Sequence, residues 1–210
     1  MSPQTVHVAL YDGLADWEIG YVTSRINSAL WQKEPGRYTI ATVAETSDPV
    51  QTMGGLRLVP DVTLKELSPQ QSAMLILAGS GSDTDWDSGG NVEMGKAARE
   101  FLDAGVPVAA ICGATFGLAR EGLLDERAHT SAAPEYLQMT GYRGGSYYRN
   151  ERAFTDGDLI TAGPADALDF TRHILARLDV FTPDVLEAWY QLFNTGDAKW
   201  YGAIYAAVAQ

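Results

Sequence analysis

Short apolar segments alternate with helical patterns along most of the chain, and this order limits the fold more than any other feature of the sequence. Residues 5–11, 38–44, 73–77 and 107–111 are rich in Val, Ile, Leu, Thr and Ala and read as strands. Strands of this kind that are separated by helices pair in parallel and are covered on both faces. The order therefore predicts a three-layer α/β sandwich with a mostly parallel central sheet.

The remaining predicted elements complete this sandwich. They are an arm of two extended pieces over 51–60, helices that end near residue 30 and cover 92–104, 113–121, 134–139 and 168–178, and a hairpin of 149–154 and 159–162 around Asp156-Gly157. Leu186, Trp189, Tyr190 and Phe193 recur at helical spacing. We therefore expect one domain over residues 1–210, with a core of about 5–180 and a helical C-terminal extension of about 182–210.

The charge of the chain restricts its partners. A net charge of -12 over 210 residues repels nucleic acid and anionic membrane surfaces. The start of the chain shows no signal peptide, and no apolar run is long enough to span a membrane. A single cysteine excludes an internal disulfide and suits a reducing compartment. We expect a cytoplasmic protein that binds a small molecule and has neither a metal nor a cofactor.

One cysteine sits where a buried strand runs directly into a helix. Cys112 follows the strand over 107–111, with Ala110 two residues before it and Ala114 two residues after it. Small residues at these positions are typical of a nucleophile elbow, whose sharp turn leaves no room for bulky neighbours. The helix N-terminus favours a thiolate and predicts a pKa below the free value of about 8.5. The alternative is a buried cysteine that only fills space.

A carboxylate is predicted on the apolar face of the first helix. If this helix begins near Asp16, Glu18 shares a face with Val22 and Ile26. A carboxyl group on this face must be protonated or tightly hydrogen-bonded. Glu18 could donate a hydrogen bond to a thiolate or serve as a general acid or base. It could also be a helix-stabilising residue of the first turn with no other role.

Several motifs occur in the order of one known family. These are 16–20 (Asp-Trp-Glu-Ile-Gly), 77–80 (Leu-Ala-Gly-Ser), 109–115 (Ala-Ala-Ile-Cys-Gly-Ala-Thr), 122–131 from Gly-Leu-Leu to His-Thr-Ser, and 156–163 from Asp-Gly-Asp to Ala-Gly. With them the chain resembles the ThiJ/PfpI superfamily over about residues 5–180. The resemblance implies the class I glutamine amidotransferase-like, flavodoxin-like fold and a homodimer.

The resemblance also implies a set of site residues. Cys112 would be the nucleophile and Glu18 its carboxylate partner. The backbone N–H groups of Gly79, Ser80 and Gly113 would form an oxyanion hole.

Two positions depart from the family pattern. Members named as proteases carry a histidine directly after the cysteine, where this chain has Gly113. Other members place a histidine in the strand after the elbow helix, a position that falls near Ser131. His129 lies two residues earlier on the same strand face and could take this role, or it could be a structural histidine. Asp16, Trp86 and Ser131 are expected to line the pocket, with Trp86 over its mouth.

Two further motifs carry little weight. Residues 79–84 resemble a dinucleotide fingerprint without its third glycine, and 83–89 resemble the start of a calcium loop with Ser88 where glycine is needed. The sequence therefore favours cysteine-dependent chemistry of the hydrolase, amidase, hydratase or glyoxalase type on a small electrophile, and it argues against peptidase activity. The alternatives are a redox sensor that uses Cys112 oxidation without turnover, and a binding or structural protein whose cysteine has no turnover.

Overall fold

A computed structural model describes residues 3–81 and 85–209. The strands are, in chain order, β1 (Gln4–Ala9), β2 (Tyr38–Ala44), β3 (Val50–Gln51), β4 (Arg57–Leu58), β5 (Val62–Thr63), β6 (Ser72–Leu77), β7 (Val108–Ile111), β8 (Ala153–Asp156) and β9 (Leu159–Ala162). The helices are α1 (Asp16–Asn27), α2 (Val92–Asp103), α3 (Gly113–Arg120), α4 (Pro134–Gln138), α5 (Ala167–Arg177), α6 (Pro183–Thr195) and α7 (Lys199–Val208).

The main sheet confirms the predicted flavodoxin-like α/β sandwich. Its order is β5-β2-β1-β6-β7-β9-β8, and within the described residues only the β8–β9 pair is antiparallel in this sheet. Helices α1 and α5 pack together on one face, and α2 and α3 pack together on the other. The chain reverses its direction of winding between β1 and β6. Ligands of such sheets bind at the carboxyl ends of the strands beside this reversal.

The core lies in the central strands because their side chains are covered on both faces. All four residues of β7 and the last four of β6 are buried, which explains why these segments are continuously apolar. The carboxyl ends of β1, β6 and β7 consequently lie side by side under helices, and the loops that leave them meet at one place.

Several element boundaries differ from the predicted ones. Strand β1 ends at Ala9, and α1 ends at Asn27, because the extended backbone of Ser28 stops the helix. Strand β8 begins at Ala153 instead of 149, because the preceding segment crosses to the chain near His129 and pairs with it. The two-residue edge strand β5 was not predicted, since so short a segment carries no periodic pattern.

The predicted arm is present as the antiparallel pair β3–β4. Its turn contacts the segment before α1, where the Met53 N–H donates to the Leu14 carbonyl at 2.8 Å. The Gly54 N–H donates to Asp16 Oδ2 at 2.6 Å. The arm is thereby fixed to the start of the helix that carries Glu18.

Helix α6 packs on α5, and α7 packs on α6. Helix α6 begins after Thr182, whose hydroxyl accepts a hydrogen bond from the Val185 N–H, and it ends at Gly196 in the left-handed conformation. None of the helices in the described part of the chain has the length and apolar character needed to cross a membrane.

Candidate active site

The backbone of Cys112 adopts a conformation that is rare for any residue except glycine. Its φ is 58° and its ψ is -129°, at the junction of β7 and α3. Such a conformation costs about 1–3 kcal/mol and persists only where the surrounding structure enforces it. Ala110 and Ala114 are fully buried beside it, so larger side chains have no space there. The geometry is that of the predicted nucleophile elbow.

Hydrogen bonds on both sides fix this strained turn. The Cys112 N–H donates to the Ala162 carbonyl at 3.1 Å, which continues the pairing of β7 with β9. The Cys112 carbonyl accepts from the Thr115 hydroxyl at 2.6 Å. Thr115 Oγ1 lies 2.7 Å from Ser131 Oγ. Ser131, which was expected in the pocket, therefore stabilises the elbow through its contact with Thr115.

Glu18 lies against the elbow, on the buried face predicted for it. Its side chain is fully buried, and Oε2 accepts the Gly79 N–H at 2.6 Å. Among the described residues, Oε1 has no N–H or O–H donor. A Cβ on Gly79 would lie 2.9 Å from Cys112 Sγ and 3.2 Å from Glu18 Oε2. Only glycine at position 79 therefore lets the thiol, the carboxyl and the peptide N–H meet.

Burial raises the pKa values of both acidic groups. Desolvation raises the pKa of Glu18 to about 7, against the hydrogen bonds from Gly79 and Cys112. Desolvation, followed by the charge and hydrogen bond of Glu18, raises the pKa of Cys112 to about 12. The Gly113 N–H acts in the opposite direction on the thiol. The expectation of a lowered cysteine pKa is therefore wrong, because burial beside a carboxylate outweighs the helix N-terminus.

The two groups consequently behave as one acid with a shared proton. A carboxylate and a thiolate that are hydrogen-bonded to each other in a buried site cannot both be charged without a nearby cation. A thiolate at neutral pH therefore forms when the thiol proton moves to Glu18. The Glu18 carboxyl, which accepts a hydrogen bond from the thiol, is the proton acceptor in this arrangement.

The predicted oxyanion hole is only partly available. The Gly79 N–H already donates to Glu18, so its assignment to an oxyanion is wrong for the state described here. The Gly113 N–H is directed at the Cys112 sulfur. The Ser80 hydroxyl donates to Asp85 Oδ1 at 3.1 Å. The oxyanion roles of Ser80 and Gly113 stay predictions.

Three residues that the sequence did not single out surround the elbow. Asp85 Oδ1 and Tyr136 Oη would lie 3.5 and 3.6 Å from a Cβ on Gly113, beside the start of α3. Tyr11 donates its hydroxyl hydrogen to the Ala78 carbonyl. Asp85 raises the pKa of both Glu18 and Cys112 through its charge. The surroundings of the thiol are thus acidic.

Trp86 occupies a different place from the one predicted. Its side chain is fully buried, and a Cβ on Gly113 would lie 3.2 Å from its ring. A Cβ on Gly117 would overlap the same ring. Trp86 therefore packs beneath the first turns of α3 and does not cover a pocket mouth, because the two glycines leave a groove that accepts the indole.

The sequence model of the DJ-1/PfpI family matches residues 4–177. The chain belongs to the DJ-1/PfpI family. It is 33% identical to "Uncharacterized protease YoaZ" of Bacillus subtilis over 204 residues, covering 96% of both chains. It is 31% identical to "Uncharacterized protease YdeA" of the same organism over 183 residues, covering 85% of both.

A solved structure agrees with this membership. The thiJ/pfpI family protein from Bacillus anthracis superposes with a TM-score of 0.91 at 33% identity, covering 100% of this chain and 99% of the other. The predicted ThiJ/PfpI resemblance is thereby confirmed over the predicted core.

His129 does not contact the elbow, so it is not placed to act as a base for Cys112. Its ring is buried, with Nδ1 at 2.7 Å from the Arg127 carbonyl and Nε2 at 3.3 Å from Tyr142 Oη. Desolvation lowers the pKa of this histidine. Both nitrogens have partners away from Cys112, so the structure favours the structural role that the sequence left open.

Asp16 also has a different role from the predicted one. Its carboxylate accepts the Gly54 N–H from the β3–β4 arm. Desolvation raises its pKa, but hydrogen bonds from Thr52, from Gly54 and from its own N–H together lower it. Asp16 therefore anchors the arm beside the site.

Among the described residues, no group of three His, Cys, Asp or Glu side chains is placed to hold a metal ion. The dinucleotide-like and calcium-like motifs both include residues 82–84 or part of them, which lie outside the described residues.

Proposed function

We propose that this DJ-1/PfpI-family protein is a cysteine-dependent enzyme that acts on an electrophilic carbon of a small uncharged molecule. Hydratase or glyoxalase-type chemistry fits the site best, ahead of hydrolase or amidase chemistry. The observation that carries the proposal is the buried Glu18–Cys112 pair on a strained elbow. In the described part of the chain no cation forms an ion pair with Glu18.

A shared proton is suited to addition across a polar double bond. Glu18 takes the proton of the Cys112 thiol, and the sulfur forms a bond to the carbonyl carbon while the C=O π electrons move to oxygen. Glu18 then gives the same proton to that oxygen. This first step adds S–H across C=O and restores the Glu18 carboxylate. With an α-oxoaldehyde, Glu18 then moves a proton from the carbon that bears sulfur to the neighbouring carbonyl carbon, which gives a thioester, and water releases a 2-hydroxy acid and the thiol. An isonitrile carbon accepts S–H in the same way, and water then releases a formamide and the thiol.

The charges around the thiol restrict the substrate. Asp85 lies beside the start of α3, and the chain carries a net charge of -12. An anionic substrate would meet repulsion both on approach and at the site. Neutral aldehydes, α-oxoaldehydes and isonitriles meet neither.

Turnover of small electrophiles tests the proposal. Purified protein is assayed with methylglyoxal and with an isonitrile, and Cys112→Ser serves as the matched blank. We expect turnover on at least one of them that is lost in Cys112→Ser and strongly reduced in Glu18→Gln. Equal rates in wild type and Cys112→Ser, or no turnover on either substrate class, would contradict it.

A redox function is the second candidate, and one observation favours it. Glu18 Oε1 is buried without an N–H or O–H donor, so a protonated Glu18 could donate a hydrogen bond to an oxygen of an oxidised Cys112. Raised pKa values make the thiolate scarce, which slows oxidation. Rapid oxidation of Cys112 at a low concentration of peroxide, together with no turnover of small electrophiles, would support this candidate.

We also propose a homodimer in a reducing, cytoplasmic setting. The support is the single cysteine and the exposed aromatic side chains of α6 and α7, among them Phe193, Tyr201 and Tyr205. Light scattering that gives a monomer at all concentrations would contradict the dimer.

A further inference from the structure

Two buried donors converge on one carbonyl next to the Glu18–Cys112 pair. The Tyr11 hydroxyl donates to the Ala78 carbonyl, and Trp86 Nε1–H donates to the same oxygen at 3.0 Å. The N–H of this same peptide unit belongs to Gly79 and donates to Glu18 Oε2 at 2.6 Å. The Tyr11 and Trp86 side chains are therefore connected to the carboxyl through a single peptide group.

A peptide group transmits such an interaction from its oxygen to its nitrogen. Donors at the oxygen increase the C–N double-bond character and make the N–H a stronger donor. A stronger N–H stabilises a carboxylate more than a neutral carboxylic acid, because the hydrogen bond to the charged form is charge-assisted. The donors at the Ala78 oxygen therefore favour the ionised form of Glu18.

We propose that Tyr11 is a positioning residue that, through the Ala78–Gly79 peptide, keeps the shared proton on Cys112 rather than on Glu18. Trp86, whose Nε1–H donates to the same oxygen, acts in the same direction. The inference deepens the proposed function, since it concerns the same pair of residues. It assigns Tyr11 a role in setting how much thiolate the resting protein contains.

The other groups that face the Glu18–Cys112 pair stay the same when the Tyr11 hydroxyl is removed. Asp85 raises the pKa of Glu18 and of Cys112, and Tyr136 interacts with the charge of Cys112. Burial raises the pKa of Tyr11 well above its ordinary value, so its hydroxyl stays a neutral donor over the working range. Removing that hydroxyl therefore alters one hydrogen bond and no charge.

The proposal predicts a characteristic pH dependence. After the pair has lost its first proton, it exists either as carboxylate with thiol or as carboxylic acid with thiolate. The donors at Ala78 stabilise only the first form. Without the Tyr11 hydroxyl the thiolate fraction rises above the pKa of Glu18, whereas below that pKa the carboxyl is protonated in both proteins and the thiolate fraction is unchanged.

Alkylation of Cys112 measures this fraction directly. The rate of reaction with iodoacetamide is followed by mass spectrometry from about pH 5 to about pH 9. Wild type should level off near pH 7, the value to which the pKa of Glu18 is raised. Tyr11→Phe should follow the wild type at low pH and reach a plateau about two- to threefold higher, with its midpoint at higher pH.

A matched control separates this effect from the loss of a buried hydroxyl. Tyr190 is a buried tyrosine whose hydroxyl donates to Asp169 at 2.8 Å, on the C-terminal helices. Tyr190→Phe should leave the alkylation profile unchanged. In a Glu18→Gln background, where the Gly79 N–H no longer faces a carboxyl that titrates, Tyr11→Phe should also have no effect.

Three outcomes would overturn the proposal: an unchanged plateau in Tyr11→Phe, an equal rise in the Glu18→Gln background, or a rate change confined to low pH. If Tyr11→Phe unfolds, Trp86→Phe removes the second donor and must raise the plateau in the same way. Alkylation does not require turnover. The alkylation test therefore remains valid if the protein shows no turnover. A negative alkylation result likewise leaves the turnover assay valid.

Discussion

Two buried carboxylates, Asp169 on α5 and Glu18 on α1, show how different a buried acid can be. Asp169 lies 3.1 Å from Arg152 Nη2 and accepts the Tyr190 hydroxyl at 2.8 Å. Glu18 is more deeply buried, and among the described residues its hydrogen-bond donors are the Gly79 N–H and the Cys112 thiol, with no ion pair. A buried charge is normally neutralised by a cation, as at Asp169. Without a cation, Glu18 can be neutralised only by a proton, so it is suited to proton transfer.

The largest difference between the two carboxylates should be in turnover. Glu18→Leu removes the proton acceptor of the thiol and should lower the turnover of methylglyoxal or isonitrile by about 10²–10⁴-fold. Asp169→Asn removes a charge of the same sign far from the elbow and should change turnover by less than about twofold. Initial rates of the two purified variants check this. Equal losses of turnover in the two variants would contradict the distinction between a proton-transferring Glu18 and a structural Asp169.

The next difference should appear in stability against pH. The pKa of Glu18 is raised from 4.5 in the unfolded chain to about 7 in the fold. The folded state therefore retains this proton after the unfolded state has lost it. The stabilisation is complete below pH 4.5 and is lost as the pH rises to about 7. Over that window it amounts to about 3 kcal/mol.

Replacing Glu18 by glutamine isolates this contribution. Denaturant unfolding of wild type and Glu18→Gln is measured at pH 4.5 and pH 8. The variant should gain about 3 kcal/mol relative to wild type between the two values. The histidines with lowered pKa values, His7, His129 and His173, are present in both proteins and cancel in the difference. A constant difference across the pH range would show that Glu18 is ionised throughout.

Much of this arrangement could be predicted from residues near one another in the sequence. The alternation of strands and helices, the small residues around Cys112 and the helical spacing of Glu18 with Val22 each carry a local signal. The burial of Glu18 beside the elbow follows once the order of the strands is known. These features are fixed by periodicity and by the parallel sheet.

The remaining features depend on contacts between distant segments. Tyr11 reads as the end of a strand, and its hydroxyl bonds a carbonyl 67 residues away. The sequence left open whether His129 is a base at the elbow or a structural histidine. The pairing of its backbone with Tyr147 and Arg149 places its ring against other aromatic rings. No spacing in the sequence encodes the approach of the Gly79 N–H to Glu18.

A smaller effect is expected from filling the space at Gly79. A Cβ there would approach Cys112 Sγ to 2.9 Å, so Gly79→Ala should destabilise the fold by about 1–3 kcal/mol and alter the alkylation rate of Cys112. Gly20 is the matched control, because a Cβ on it would meet no atom within 4 Å. Gly20→Ala should stabilise α1 by about 0.5–1 kcal/mol. Two equally stable variants would argue against close packing at Gly79.

The smallest effect should be peptidase activity, which we expect to be indistinguishable from the Cys112→Ser blank. Expelling an amine requires a group that first takes the proton of the nucleophile and then protonates the leaving nitrogen. The residue after the cysteine is Gly113, which has no side chain. His129 resembles Asp169 in the comparison above, since its ring nitrogens already have structural partners in Arg127 and Tyr142.

Casein and aminoacyl fluorogenic peptides, assayed beside methylglyoxal, provide the measurement. Two relatives carry the word protease in their names, so the assay also tests whether that word suits this chain. His129→Ala should leave the turnover of small electrophiles within about twofold of wild type, although it removes a buried ring and lowers stability. Peptidase turnover that disappears in both Cys112→Ser and His129→Ala would show that the histidine reaches the thiol during reaction. His129 would then belong with Glu18 among the proton-transferring groups, and not with Asp169 among the structural ones.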